Sequence, residues 1–235
     1  MNTRNEVSYP RRYGSPLVRR TGLLLMGLFV LFVFAFLAAA AYGGEPDQAA
    51  RWQTAKVNPA QTVALDKLVD RWRRTAATYR EVQAMCPNGV PAAVAFCLFY
   101  READNNMACS PAQGDPLTHL SRNVPSGRIP GKRPPFLWKD AAFDAYYVCD
   151  HLDKWDWRTA ATALAAMESF NGTGYARFHT DVPTPYLWAG TTLYQRGKYV
   201  ADGRFDCFAV DKQIGAAAIL LRMRDRGNFP TVLKI

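Results

Sequence analysis

The chain has 235 residues, of which 49% are hydrophobic and 21% charged, and its formal net charge is +9. This is ordinary globular composition, without repeats or low-complexity segments, and it supports one domain with a hydrophobic core. A basic surface suits an anionic partner such as a cell-wall polymer, a nucleic acid or an anionic lipid. No motif interleaves aromatic with basic residues, so the sequence argues against nucleic acid as that partner.

The N-terminal segment predicts a membrane helix that follows a basic cytoplasmic arm. Five arginines and one glutamate lie in residues 1–20, and residues 21–44 contain no charged residue. Such a run is long enough to cross a bilayer as a helix. The arginines in front of it predict a single-pass protein of the inner membrane, with the rest of the chain in the periplasm. The alternative is a signal peptide that is cleaved near residues 39–41. The length of the apolar run favours the anchor.

The cysteines agree with export, because all of them follow residue 44. They are Cys86, Cys97, Cys109, Cys149 and Cys207. An oxidising compartment permits up to two disulfides, and the spacing does not fix their connectivity. The cluster Cys149-Asp150-His151 has no second ligand pair at metal spacing, so we expect neither a metal nor a cofactor.

The exported part predicts a mainly α-helical single domain over residues 58–235, after an irregular linker over 45–57. Asn58 and Pro59 have the character of a helix cap and a first helical position. Residues 104–135 are rich in Gly, Pro, Ser and Asn, and a loop of this length in a compact domain tends to be functional. A small β-hairpin is predicted inside this loop, around 118–124. Apolar residues at helical spacing predict helices over about 59–85, 91–103, 138–152, 157–170 and 208–226. The buried stripe of the first helix is predicted to be Leu65, Leu68, Val69, Trp72, Ala76 and Tyr79.

Glu102 is the candidate catalytic residue. It lies at the end of an apolar run that begins at Pro91. Burial raises the pKa of a carboxyl group, and a carboxylic acid that is still protonated near neutral pH can donate a proton to a leaving group. One such acid, a second carboxylate and an aromatic, amide-rich surface are the parts of a polysaccharide-cleaving site.

Five segments occur in an order and spacing that resemble a known family. They are residues 99–102, 114–117, 168–175, 185–190 and 197–203. Together they resemble phage and bacterial muramidases with the lysozyme fold, related to goose-type lysozymes and soluble lytic transglycosylases. The resemblance covers about residues 90–225. It implies a lysozyme-like α+β fold and cleavage of the β-1,4 bond between N-acetylmuramic acid and N-acetylglucosamine in peptidoglycan.

The resemblance also implies roles for single residues. Glu102 matches the acid that protonates the glycosidic oxygen. Asp115, 13 positions later, matches a second carboxylate that positions water or stabilises positive charge on the sugar. Each further candidate has a structural alternative: a turn for Asp115, a helix cap for Asn171-Gly172, and core packing for the aromatic residues. The substrate-binding candidates are Asn171, Gly172, Tyr186, Trp188 and Tyr199, and for Tyr186 and Trp188 the expected role is stacking on sugar rings.

The sequence leaves the reaction and the setting open. Water as nucleophile gives a reducing sugar, whereas the muramyl 6-hydroxyl gives a 1,6-anhydro ring. Many relatives have Ser where this chain has Ala103, so the fine mechanism is undecided. A non-catalytic wall-binding or assembly protein on the same fold is the main alternative. A peptidase built on Cys97 is disfavoured, because an apolar helix opposes a thiolate. Phage lysis, genome entry and envelope remodelling all fit an anchored enzyme.

Overall fold

The structure, a computed structural model, describes residues 48–122 and 126–228, all of which belong to one compact unit. A π-helical segment, Asp144–Cys149, continues the helix Trp138–Phe143, and short 3-10 turns cover Pro59–Gln61 and Leu152–Lys154. The strands β1 (Lys198–Ala201) and β2 (Arg204–Asp206) pair antiparallel. The α-helices are α1 (Gln48–Thr54), α2 (Thr62–Gln83), α3 (Ala92–Ala103), α4 (Trp138–Phe143), α5 (Ala160–Asn171), α6 (Gly174–Phe178), α7 (Pro185–Trp188) and α8 (Ala216–Asp225). This confirms the prediction of a mainly helical α+β domain with one small hairpin.

Helix α3 lies at the centre of the core. Every residue from Ala92 to Phe99 is buried, as expected for a helix that is apolar on all sides. Helix α2 packs along α3, and α8 packs against both. The predicted stripe of α2 is buried in full: Leu65, Leu68, Val69, Trp72, Ala76 and Tyr79. The side chain of Asn58 accepts the N–H of Ala60 at 3.0 Å, which confirms the predicted cap.

The β-hairpin lies elsewhere than predicted. Residues 118–122 contain no strand, and the described part of 104–135 has only an isolated bridge between Cys109 and Pro116. The hairpin is instead formed by β1 and β2, where Tyr199 pairs with Phe205. Asp202-Gly203 forms its turn, and Gly203 adopts a φ of 67°. An Asp-Gly pair between β-prone residues is a strong hairpin signal, so the position of this hairpin could have been predicted from the sequence.

Two boundaries also differ from the prediction. Residues 48–54 form α1 where an irregular linker was expected, and Trp52 is only 1% exposed. The Arg224 guanidinium covers the Trp52 ring at 5.2 Å, so α1 belongs to the domain. The last helix begins at Ala216 instead of 208. At Gly215 an added Cβ would lie 2.3 Å from the Leu187 carbonyl oxygen, so the chain there passes against α7.

The predictions about the N-terminus lie outside the described residues. These are the basic arm over 1–20 and the membrane segment over 21–44. Within the part that the structure describes, no helix combines the length and the apolar character needed to cross a membrane. All five cysteines are described, and each is a free thiol, so the disulfides that export permits are not formed.

Candidate functional site

The site is built around the carboxyl group of Glu102, in the last turn of α3. The helix ends at Ala103, and its capping residue Asp104 adopts the left-handed conformation with a φ of 49°. The Glu102 side chain is partly buried, and the Tyr186 hydroxyl donates a hydrogen bond to its Oε1 at 2.8 Å. Burial raises the pKa of Glu102 to about 7, although the Tyr186 hydrogen bond and the Arg101 charge oppose this change. Glu102 is therefore a carboxylic acid that holds its proton close to neutral pH.

Tyr186 is placed by the short helix α7, which begins at Pro185. Its side chain is 3% exposed, and the guanidinium of Arg101 lies over its ring at 5.0 Å. Because Arg101 covers one face of the ring and the side chain is almost fully buried, the ring has little surface left for a ligand. The role that the structure gives Tyr186 is that of hydrogen-bond donor to Glu102. The prediction that it stacks on a sugar does not fit this burial.

A cleft of about 500 Å³ opens beside Tyr186. Four predicted binding residues line it: Asn171, Gly172, Tyr186 and Tyr199. Glu102 is not among the lining residues, but its neighbour Arg101 and its partner Tyr186 are. The structure therefore brings together two residues that are 84 positions apart, and it connects the acid to the cleft through Tyr186.

The cleft is bounded by α5 and the hairpin. Helix α5 ends at Asn171, and Gly172 continues the chain with a φ of 108°, which favours glycine. Both residues are exposed. An added Cβ at Gly174 would lie 3.2 Å from the ring of Tyr199, so the turn after α5 packs closely on β1. Asn171 and Gly172 therefore end helix α5, as the structural alternative predicted, and they also line the cleft.

Trp188 does not contribute to this cleft. Its side chain is 0% exposed and belongs to the hydrophobic core. The expectation that it stacks on a sugar ring is therefore wrong. Tyr186 and Trp188 are two residues apart, and the helical turn of α7 directs them to different surroundings.

Asp115 also lies outside the cleft. Its Oδ2 accepts the backbone N–H of Arg122 at 3.0 Å, within the long loop. It lines a second, smaller cavity together with Arg128 and Asp144. Arg128 is bonded to Asp144 through Nε at 2.9 Å. The structural alternative, a carboxylate that orders a loop, describes Asp115 better than a role beside Glu102.

The sequence did not single out a buried ion pair at the cleft. Arg101 and Asp211 approach to 2.9 Å, and their side chains are only 8% and 10% exposed. Lys198 of β1 lies 3.4 Å from the same carboxylate. Arg101 also donates to the carbonyl oxygens of Gln213 and Ile214. The pair fastens the chain before α8 to the end of α3. No local motif marks Asp211, because it lies in a segment that was expected to be helical.

Comparison with known proteins gives no relative: neither a protein family, nor a curated protein, nor a solved structure matches this chain. A protonated acid whose hydrogen-bond partner lines a cleft suits proton donation to a bound substrate.

Proposed function

We propose that this chain is a muramidase, which cleaves the β-1,4 bond between N-acetylmuramic acid and N-acetylglucosamine in peptidoglycan. The observation that carries the proposal is the carboxyl group of Glu102, whose pKa burial raises to about 7 and which is hydrogen-bonded to Tyr186, a residue that lines a cleft of about 500 Å³. A helix-borne acid beside a cleft also supports a lysozyme-like fold. The order of the five segments that resemble muramidases agrees with this assignment.

In the proposed reaction, Glu102 acts as the general acid. It donates its proton to the glycosidic oxygen while the bond from that oxygen to the sugar C1 breaks. The Tyr186 hydroxyl, 2.8 Å from Oε1, holds the carboxyl group in place and stabilises the carboxylate that remains. Asn171 and Tyr199 line the cleft, where they offer an amide and an aromatic ring to the sugar.

The proposed location follows from the substrate. Peptidoglycan lies outside the cytoplasm, so the domain needs export, which residues 1–44 are proposed to provide as a membrane anchor or a cleaved signal. The basic composition, with a formal net charge of +9, suits an anionic cell-wall polymer.

The test is clearing of purified peptidoglycan by the full chain and by two isosteric variants. Glu102→Gln removes the acid, and we expect at least about a hundredfold slower clearing, as for loss of general-acid catalysis. Glu81→Gln is the matched control, because Glu81 is an exposed residue of α2, and we expect it to clear at the wild-type rate. A wild-type chain that binds peptidoglycan without cleaving it would support the alternative of a wall-binding protein.

A further inference from the structure

The wall of the cleft carries four charged residues, which differ in how far a ligand can reach them. They are Arg101, Lys198, Asp202 and Asp211. The side chains of Arg101 and Asp211 are 8% and 10% exposed, and they pair with each other at 2.9 Å. The Lys198 side chain is 32% exposed, and Asp202 lies in the exposed turn of the hairpin. Of the two cations, Lys198 is therefore the one that a ligand in the cleft can contact.

Each carboxylate oxygen of Asp211 has a partner without Lys198. Oδ2 accepts Nη2 of Arg101 at 2.9 Å, and Oδ1 accepts the backbone N–H of Gln213 at 3.1 Å. The Lys198 Nζ lies 3.4 Å from Oδ1, which is longer than an ordinary hydrogen bond. Among the residues that the structure describes, Lys198 has no other ion-pair partner. Because Arg101 already neutralises Asp211, the charge and the N–H donors of the Lys198 ammonium group are available to a ligand.

The backbone around Lys198 fixes its position at the cleft. Lys198 is the first residue of β1, and it pairs with Asp206 of β2. The hydroxyl of the buried Tyr194 accepts the N–H of Asp211 at 2.9 Å and donates to the Gly197 carbonyl oxygen at 3.3 Å. One tyrosine thus connects Asp211 to the residue before Lys198. A side chain that is held in this way loses less conformational freedom when it binds a ligand.

The partner that suits Lys198 is a carboxylate on the glycan. The sugar rings of peptidoglycan are neutral, but N-acetylmuramic acid carries a lactyl group that ends in a carboxyl group. This carboxyl group is free where the stem peptide has been removed, and where the peptide is present it contributes carboxylates of its own. An ammonium group binds a carboxylate through charge-assisted hydrogen bonds. The cleft volume of about 500 Å³ is in the range of ligand pockets, about 300–1,000 Å³.

We propose that Lys198 is a specificity-determining residue, which binds a carboxylate carried by the muramic acid units of the substrate. This inference rests on the proposed function and specifies which glycans the cleft prefers, namely those that carry such a carboxylate. Asp202 opposes a second negative charge, but it lies in the exposed turn, where water and salt screen it. Lys198 binds and orients the glycan, whereas breaking of the glycosidic bond depends on Glu102.

The experiment measures binding of soluble glycan oligosaccharides by calorimetry, with the full chain carrying Glu102→Gln so that the ligand is not cleaved. Two pairs of probes differ only in charge. The first pair lacks stem peptides and has its lactyl groups either as free carboxylates or as methylamides. The second pair carries stem peptides whose carboxylates are either free or amidated. In at least one pair we expect the charged probe to bind about fivefold more tightly, as for a partly exposed ion pair. The pair that shows this preference identifies the source of the carboxylate.

Variants of Lys198 in the same chain assign the preference to this side chain. Lys198→Met removes the charge and should bind the two probes of each pair equally, whereas Lys198→Arg keeps the charge and should keep the preference. If Lys198→Met fails to fold, Lys198→Gln takes its place. Lys212→Met is the matched control, because it changes the net charge equally, and Lys212 is exposed beside Asp211 but does not line the cleft. It should keep the full preference.

Three results overturn the assignment of Lys198. They are equal affinity for the charged and the neutral probe in both pairs, a preference that Lys198→Met retains, and a preference that Lys212→Met loses to the same extent. None of them affects cleavage by Glu102, which muropeptide release by the wild type measures separately. A wild-type chain that shows the preference but releases no muropeptide contradicts the proposed cleavage and leaves the carboxylate site in place, so the two failures are distinguishable.

Discussion

Asp211 lines the cleft and Glu102 is hydrogen-bonded to the cleft residue Tyr186, yet the surroundings of the two acids shift their pKa values in opposite directions. Asp211 is buried beside Arg101 at 2.9 Å and Lys198 at 3.4 Å, and its pKa is lowered although burial opposes this. Glu102 has a tyrosine hydroxyl as its hydrogen-bond partner, and burial raises its pKa to about 7. Cationic partners lower the pKa of a buried carboxyl group and make it a structural ion-pair member, whereas a buried carboxyl group without such partners keeps its proton and can donate it.

The largest expected effect is on folding stability, and it concerns Asp211, the acid that is paired with Arg101. Arg101→Met leaves the buried Asp211 carboxylate with Lys198 at 3.4 Å and the Gln213 N–H at 3.1 Å but without its closest ion-pair partner, so we expect a loss of about 3–5 kcal/mol in the free energy of unfolding. Urea denaturation at pH 7 measures this. Arg71→Met is the control, since the pair of Arg71 with Asp104 is exposed at 37% and 69%, and such pairs contribute at most about 1 kcal/mol. Equal losses in the two variants would contradict the structural role of Asp211.

The next largest effect concerns Glu102, whose raised pKa lowers the stability of the fold at high pH. The Glu102 pKa is about 7 in the fold and 4.5 as the ordinary value. As pH rises through that window, the unfolded chain releases the proton before the folded chain does, so folding stability falls. Glu102→Gln removes this loss and should be more stable than the wild type at pH 8, by about 3 kcal/mol at most.

Thermal unfolding of both proteins from pH 4 to pH 9 measures this difference. The gap in melting temperature should widen from about pH 4.5 to pH 7 and then stay constant. A gap that does not depend on pH would show that Glu102 ionises normally in the fold.

Tyr186→Phe should alter the pH dependence of activity. The hydroxyl lowers the pKa of Glu102, so its removal keeps the acid protonated to higher pH and moves the alkaline limb upward. Hydrogen bonds to charged groups contribute about 1.5–3 kcal/mol, which is sufficient for a measurable shift. Tyr199→Phe is the control, because Tyr199 lines the cleft without contacting Glu102. It should change KM rather than the limb. If the alkaline limb of the pH profile lies at the same pH in Tyr186→Phe as in the wild type, this hydrogen bond does not set the pKa of Glu102 during catalysis.

Asp115→Asn should have the smallest effect. An asparagine oxygen can still accept the Arg122 N–H, so the change in the free energy of unfolding should be about 1 kcal/mol or less. We expect turnover to stay within about threefold of wild type, as is usual away from an active site. A loss of turnover comparable with that of Glu102→Gln would restore Asp115 to the catalytic site.

The sequence predicted the helices well because they carry their own periodic signals. The stripe of α2 and the continuous apolar run of α3 are buried as expected. The position of Glu102 at the end of α3 and its raised pKa also follow from that run. Local caps fixed boundaries at Asn58 and Gly172. These features depend on neighbours in the sequence, which is why they were predictable.

The remaining features depend on tertiary contacts. Trp188 and Tyr199 are both aromatic, but only the fold buries one in the core and leaves the other at the cleft. Asp211 becomes part of the site through an ion pair with Arg101, 110 positions earlier. The docking of α1 depends on Trp52 meeting Arg224. The spacing of residues along the sequence does not predict contacts between residues that are so far apart.

The proposed cleavage of peptidoglycan depends on Glu102, a carboxylic acid with a pKa of about 7. The most direct test is the rate of muropeptide release from purified peptidoglycan by the full chain between pH 5 and pH 9, for the wild type and for Glu102→Gln. We predict release by the wild type that falls above about pH 7, where Glu102 loses its proton. Release by Glu102→Gln should be at least about a hundredfold slower at every pH. Equal release by the two proteins, or no release by the wild type at any pH, would contradict the account.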